Sequence, residues 1–319
     1  MRSALEAGRP AALATIVALS GGGPRPLGTQ MVIADGALSG FLSGGCLEAD
    51  VAGHATQVLE DGAARRLVYG QGSPWPDIRL LCGARIEIQV ERIGSEDPSA
   101  RRLLALTAAR VPAVWLSDGE RRLCALRDEA PKPWPGAFRR IYEPALRLVV
   151  LGADPAALAI AALGAQIGWE TTLVRPRGPP EAPLLPSVAY SREEPAAALT
   201  AIGLDRWTAV AVATHDAELD HAALVVALPS AAFYVGALGA RHRLPDRLAG
   251  LRQAGLSGHA IRRLHAPIGL DIGGKAPWEV AVAVIAEITA LHYAAATNAP
   301  SPHPAPRAPS RAAAKRLTS

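Results

Sequence analysis

From Arg147 onward the sequence repeats one short phrase: a compact apolar run, a turn, then a stretch with helical spacing. "RLVVLGA" precedes "PAALAIAALGAQIG", which closes near Gly168, and "ETTLVRP" follows. "TAVAVATHD" then leads into a helical period over residues 219–228, and "FYVGALG" comes after it. Apolar runs too short to be helices, each followed by a helical segment, are parallel strands joined by crossover helices. The second half is therefore expected to be a doubly wound parallel sheet. Its last element, "PWEVAVAVIAEITALHY", has Pro277 near the first turn and an apolar face of Val280, Val284, Ile285, Ile288 and Leu291.

The first half follows another grammar. Residues 12–19 form a β-rich run, and residues 30–34 and 38–42 flank Asp35-Gly36, a pair that favours a tight hairpin turn. Leu47, Val51, Ala55, Val58 and Leu59 fall at helical spacing until Gly62. In "RIEIQVER" the residues Ile86, Ile88 and Val90 alternate with Arg85, Glu87, Gln89 and Glu91, which predicts a strand with one face in solvent. "PAVWLSD" and "RRLCALRD" add strands, and the proline-rich "APKPWPG" is loop. The fold class is thus α/β, an α+β domain over residues 1–143 followed by a doubly wound domain over 144–297. Residues 298–319, rich in Pro, Ala and Arg and without periodicity, are expected to be a disordered tail.

Composition excludes several classes. The net charge of +4 is modest, and only three lysines occur, Lys132, Lys275 and Lys315. No basic patch with interleaved aromatics points to nucleic acid. No apolar run reaches the length of about 18 residues that a bilayer span needs. Glu6, Gly8 and Pro10 interrupt the N-terminal apolar patch, so a signal peptide is not expected and a cytoplasmic location is. Three cysteines, Cys46, Cys82 and Cys124, argue for reduced thiols rather than a disulfide framework.

The chemistry concentrates in two places. In "SGFLSGGCLEADV" the pair Gly44-Gly45 lets the backbone turn sharply before Cys46, at a helix start whose N–H groups favour anions and thiolates. Glu48 and Asp50 oppose that effect. On the residues alone Cys46 is either a thiolate ligand or a small residue filling a strand–helix corner. Cys82-Gly83 places a second thiol beside glycine, whereas Cys124 lies mid-strand and reads as packing. No zinc spacing and no hydrolase signature occurs.

The second place is the first βα turn of the parallel sheet. A dinucleotide site would carry G-x-G-x-x-G, but the turn is "GADPAA", with Gly152, Asp154 and Ala157 in the three glycine positions. Asp154 brings a negative charge to the pyrophosphate seat, so NAD(P) is doubtful. The acid expected at the end of the next strand is replaced by Val174-Arg175, and Arg175 or Arg177 suits a phosphate-bearing ligand. "ATHD" sets Thr214, His215 and Asp216 at a strand's carboxyl end, where such sheets bind ligands; an ordinary surface histidine is the alternative. "PIGLDIGGK" lacks the first glycine and the Ser/Thr of a P-loop.

These segments together resemble a known family. "GGGPRPLGTQMVIADGALSGFLSGGCLEADV" and "LLCGARIEIQVE" are similar to the first domain of the XdhC/CoxI family, accessory proteins of xanthine dehydrogenase and related molybdenum hydroxylases. "VATHDAELDHAALVVAL", "FYVGALGARHR" and "HAPIGLDIGGKAPWEVAVAVIAEI" resemble its C-terminal Rossmann domain. The resemblance implies a non-catalytic chaperone that binds molybdenum cofactor, protects it during sulfuration and hands it to a xanthine dehydrogenase-type molybdoenzyme. It further implies a cysteine desulfurase and a cofactor-delivering protein as partners, and a homodimer. Carried over, Ser43-Gly44-Gly45-Cys46 matches the SGGC motif, with Cys46 as the thiol facing cofactor and metal. Pro24-Arg25 and Gly28 match the PRxxG turn, Cys82-Gly83 the second cysteine segment, and His215 and Asp216 lie in the Rossmann block. The chain departs from the pattern at Gly152-Ala153-Asp154 and before Cys82, where glycines are lost. An NAD(P)-linked oxidoreductase is the rival expectation, and an assembly factor that touches no cofactor is a third.

Overall fold

The computed structural model describes residues 1–21, 25–45, 47–70, 73 and 85–297. Pro24, Cys46, Cys82, Gly83 and the segment 298–319 lie outside the described residues. The chain divides into two compact units, Met1–Pro144 and Ala145–Ser319.

The first unit opens with a short helix α1 (Arg2–Glu6) and the long strand β1 (Ala11–Ser20). Then come β2 (Gln30–Ala34), β3 (Ala37–Ser39), α2 (Glu48–Asp61), β4 (Arg65–Gly70) and β5 (Arg85–Ile93). The five strands form one antiparallel sheet in the order β3-β2-β1-β5-β4. The β2–β3 hairpin turns through Asp35 and Gly36 at φ 53° and 74°, the double positive-φ turn anticipated for an Asp-Gly pair. Helix α2 ends where Gly62 takes φ 76° and its N–H bonds the Val58 carbonyl. Its face of Val51, Ala55 and Val58 is fully buried on Ile86, Ile88 and Val90 of β5 and on Ile16 of β1. Each such valine stabilises the unit by roughly 1.5–3 kcal/mol relative to exposure.

The other face of this sheet is covered as well. Helix α3 (Pro98–Ala108) and a three-stranded antiparallel sheet of β6 (Ala113–Ser117), β7 (Arg122–Leu126) and β8 (Phe138–Tyr142), in the order β7-β6-β8, complete the unit. Leu5, Leu13, Ile93, Leu103, Trp115 and Cys124 make a second core there. The expectation of a solvent face on β5 is thereby corrected. Gln89 and Glu91 are buried, and Glu91 accepts from Ser117 Oγ at 2.7 Å and Arg122 Nε at 3.1 Å. Burial pushes the Glu91 carboxyl up despite the Arg122 charge beside it. Polar alternation here marks an ionic core between two layers, which periodicity alone does not distinguish from a wet face.

The second unit runs β9 (Arg147–Leu151), α4 (Pro155–Gln166), β10 (Glu170–Val174), β11 (Val188–Ser191), α5 (Pro195–Ile202), β12 (Thr208–Val212), α6 (Ala217–Ala227) and β13 (Tyr234–Ala237). A 3₁₀ turn (Arg241–Arg243), α7 (Leu244–Gln253), α8 (Gly258–Ile261), β14 (Leu264–His265) and α9 (Pro277–Thr297) follow. All six strands are parallel in the order β11-β10-β9-β12-β13-β14. Each central strand is buried on both faces. In β9, Val149 and Leu151 pack with α5, α6 and α7, while Leu148 and Val150 pack with α4 and α9. The order reverses between β9 and β12, so a crevice opens at their carboxyl ends.

Candidate functional site

In the first unit the residues before α2 are gathered around one side chain. The Glu48 carboxylate accepts backbone N–H bonds from Leu42 (2.9 Å), Ser43 (2.8 Å), Gly44 (3.3 Å), Gly45 (2.9 Å) and Leu47 (3.1 Å). The Ser43 hydroxyl donates a further bond at 2.8 Å. Burial alone would raise the Glu48 pKa, but the bonds from Ser43, Glu48's own N–H and Leu42 outweigh it and lower it to about 2. Gly44 and Gly45 adopt φ 145° and 119°, and a Cβ on either would meet open space among the described residues. It is the backbone conformation, and not a neighbouring described atom, that calls for glycine here. Among the described residues, the N–H groups of Leu42, Ser43, Gly44, Gly45 and Leu47 turn to Glu48, which is an internal anion at the start of α2. Nor does Glu48 act merely as a charge opposing a thiolate; it shapes the segments on both sides of Cys46. Its three-residue spacing to Gly45 was the sequence signal, the reach-back of an acid in a first helical turn.

Nearby on α2, Asp50 accepts from Tyr69 Oη at 2.5 Å and lies 3.7 Å from His54 Nε2. Burial, then the Asp50 charge, pushes the Tyr69 hydroxyl far above its ordinary range, so it stays a proton donor. Arg25 is exposed, and Gly28 completes its turn with an N–H bond to Ile16 O at 2.8 Å. Cys124 is buried in β7, where desolvation pushes its thiol up to about 11 and leaves it inert at neutral pH.

In the second unit the crest of the parallel sheet carries the other predicted residues. Gly152 follows β9 at φ 156°, and a Cβ there would strike the Ala213 carbonyl oxygen and come within 2.8 Å of Ala157 Cβ. Asp154 caps α4, accepting the Ala157 N–H at 2.8 Å, and its other oxygen is 3.1 Å from His215 Nε2. Asp216 caps α6 through the Glu218 and Leu219 N–H groups and pairs with Arg177 at 2.9 Å. The Leu219 N–H chiefly holds the Asp216 carboxyl below the usual carboxylate range. His215 and Asp216 are thus brought together with Asp154 and Arg177, each already engaged by a protein partner.

Two cavities share Thr214 and His215. One of about 350 Å³ is lined by Gly152, Asp154, Arg175, Arg177 and Asp216. The other, about 840 Å³, reaches to His221, His242, Arg243 and Arg247. Between them Asp220 is buried, accepting from Thr214 Oγ1 at 2.6 Å and Arg247 Nη2 at 2.5 Å. Burial raises the Asp220 pKa against those partners. Asp220 and Arg247 escaped the sequence reading because they are far apart in the chain and carry no motif. Among the described residues no group of three or more His, Cys, Asp or Glu could hold a metal ion. Nor is any described helix long and apolar enough to cross a membrane.

Fold and site define a class: a two-unit α/β protein in which an antiparallel unit bearing a glycine–cysteine loop precedes a Rossmann unit with an acid-capped first turn. Comparison with known proteins narrows this. Residues 148–288 match the XdhC Rossmann domain, and residues 4–70 match the XdhC and CoxI family. The chain is 31% identical to the molybdenum cofactor insertion chaperone PaoD of Escherichia coli K12, over 90% of this chain and 85% of that protein. It is 26% identical to a probable xanthine dehydrogenase component of Bacillus subtilis 168, over 89% of this chain and 94% of that one. A solved structure described as a xanthine dehydrogenase from Bacillus halodurans shares the fold, with a TM-score of 0.73 over 93% of this chain and 97% of that chain at 24% identity. The chain belongs to the XdhC and CoxI family.

Proposed function

We propose that this chain is a cytoplasmic chaperone that binds molybdenum cofactor and inserts it into a xanthine dehydrogenase-type molybdenum hydroxylase, without itself being an enzyme. The observation that supports the reading is the loop around Glu48. Residues on both sides of Cys46 are pinned by a single carboxylate, while no described atom crowds Gly44 or Gly45. Such a loop is stiff in its backbone and bare in its side chains, which suits presentation of one thiol to a bulky, soft cargo. PaoD, similar over most of its length, is by name a molybdenum cofactor insertion chaperone.

In this reading Cys46 contacts the cofactor as thiolate, Ser43, Gly44 and Gly45 form its bare cradle, and Cys82-Gly83 is a second, weaker contact. Arg25 is the cation for an anionic cargo. Its phosphate is not assigned to the N–H groups before α2, which Glu48 takes up. His215 and Asp216, at the crest of the other unit beside Asp154 and Arg177, are further candidate contacts to the cofactor.

The test is to incubate purified protein with isolated molybdenum cofactor and measure pterin and molybdenum retained after desalting. Cys46→Ser is expected to keep the fold and lose most retention, with Cys82→Ser losing less. Retention by Cys46→Ser close to that of the unmodified chain would remove the thiol from the mechanism. A larger loss from Cys82→Ser would exchange the two roles.

A further inference from the structure

Several ionisable groups along the crest of the parallel sheet have partners. Arg177 is tied to Asp216, Arg247 to Asp220 and His215 to Asp154. Arg175 differs. It stands one residue past β10, half-buried in the wall of the cavity of about 350 Å³. No carboxylate among the described residues pairs with it, and its Nε–H is enclosed without an acceptor. A guanidinium carries five donors in a planar fork and keeps its charge at any physiological pH. Its fork matches the oxygens of a phosphate, and leaving the enclosed Nε–H unmet is unfavourable.

The usual anion seat of this fold is closed. In a dinucleotide site the pyrophosphate rests on the helix N-terminus that follows the first strand. Here that terminus, α4, is taken by the Asp154 carboxylate, which accepts the Ala157 N–H and faces His215. A pyrophosphate would meet like charge there; a phosphate at the end of β10 would meet Arg175 and Arg177, with the engaged carboxylates of Asp154 and Asp216 in the same lining. Arg177 is largely exposed, and an ion pair made by so exposed a side chain is worth little.

We propose that the Arg175 cavity binds a single phosphate ester, with Arg175 as its main ligand and Arg177 as a second drawn from Asp216. A volume of about 350 Å³ is small for a binding pocket and suits a phosphate with an attached sugar or ring, not a whole dinucleotide. The larger cavity shares the lining residues Thr214 and His215 with it. Two sources share this chemistry: a nucleoside monophosphate and the terminal phosphate of a pterin. The inference stands whether or not the chaperone reading holds, since it draws on the second unit alone.

Calorimetric titration of the full chain with inorganic phosphate, AMP, UMP and NADH tests it. Saturable binding of the monophosphates is expected, weakened about tenfold or more by Arg175→Ala through loss of a charge-assisted bond. Arg175→Lys should recover part of the affinity, keeping charge without the fork. Arg206→Ala, which removes an arginine stacked on Trp207 just before β12, should change nothing. NADH is expected to bind at least about tenfold more weakly than AMP, because of Asp154. Equal affinity for inorganic phosphate and AMP would assign the contact to the phosphate alone, as a pterin ester needs. Tighter AMP or UMP would assign a nucleotide. No saturable binding of any phosphate probe, undiminished binding by folded Arg175→Ala, or NADH binding tighter than AMP would each overturn the proposal.

Discussion

Glu48 is the residue whose meaning changes most between sequence and structure. As a letter in "CLEAD" it is one more acid in a first helical turn, useful to the dipole and little else. In the folded chain it is the hub to which five backbone N–H groups turn. The sequence shows the glycines, and their positive φ follows from their type; it does not show that the loop would close on its own acid. Glu48→Gln should loosen this loop, because an amide supplies one acceptor and brings two donors to face donors. The folded pKa of about 2 lies below the ordinary 4.5, so the contribution is complete above about pH 4.5 and fades as pH falls toward 2. At neutral pH it is worth up to about 3 kcal/mol. Urea unfolding of both proteins near pH 7 should show a gap of about 2 kcal/mol that shrinks by about pH 3 as the wild-type carboxylate protonates. A gap that is absent at pH 7, or constant across that range, would mean the hydrogen bonds do not hold the loop.

At the scale of elements, legibility followed the kind of burial. Strands β9, β12 and β13 and helices α4, α6 and α9 were readable, because strands buried on both faces are apolar throughout and helices show a period. Strand β11 (Val188–Ser191) was not, being a four-residue edge strand with Ala189 exposed, the rest half-buried and no long apolar run. Strand β8 (Phe138–Tyr142) escaped for a similar reason, since Arg139 and Ile141 are exposed, Arg140 shares the half-covered face with Phe138 and Tyr142, and no apolar alternation shows. The β9–α4 turn was legible as an altered glycine motif, yet the sequence could not say what Asp154 does instead. It caps the helix, and that role carries a measurable cost. Asp154→Ala should destabilise the second unit by about 1 kcal/mol, and Asp154→Asn by much less, since asparagine caps nearly as well. Gly152→Ala should cost more, about 1–3 kcal/mol or outright loss of soluble protein, as its Cβ is driven into the Ala213 carbonyl and Ala157. Thermal melts of the three variants rank them. An Asp154→Ala protein as stable as wild type would show that the cap is dispensable and that the acid is kept for another purpose.

At the scale of the whole molecule, the change of grammar near Arg147 corresponds to a physical division. The first unit is stabilised by two cores on either side of one antiparallel sheet, the second by two cores on either side of a parallel one. Every ladder of the parallel sheet is formed within the second unit. A segment of that length, with its own complete core, exceeds what an independent domain requires. Residues 145–297 produced alone should therefore fold, giving a single cooperative melt and a mixed helix–strand circular dichroism spectrum. This separation also divides the proposed functions. The isolated second unit should bind AMP within about threefold of the full chain's affinity, a difference under about 1 kcal/mol, because every described residue lining the Arg175 cavity belongs to it. It should retain no molybdenum cofactor after desalting, because Cys46 and the loop shaped by Glu48 lie in the other unit. A fragment that melts without cooperativity would show that the two units depend on each other for stability. A folded fragment that retains cofactor as well as the full chain does would move cofactor binding from the glycine–cysteine loop to the crest of the parallel sheet.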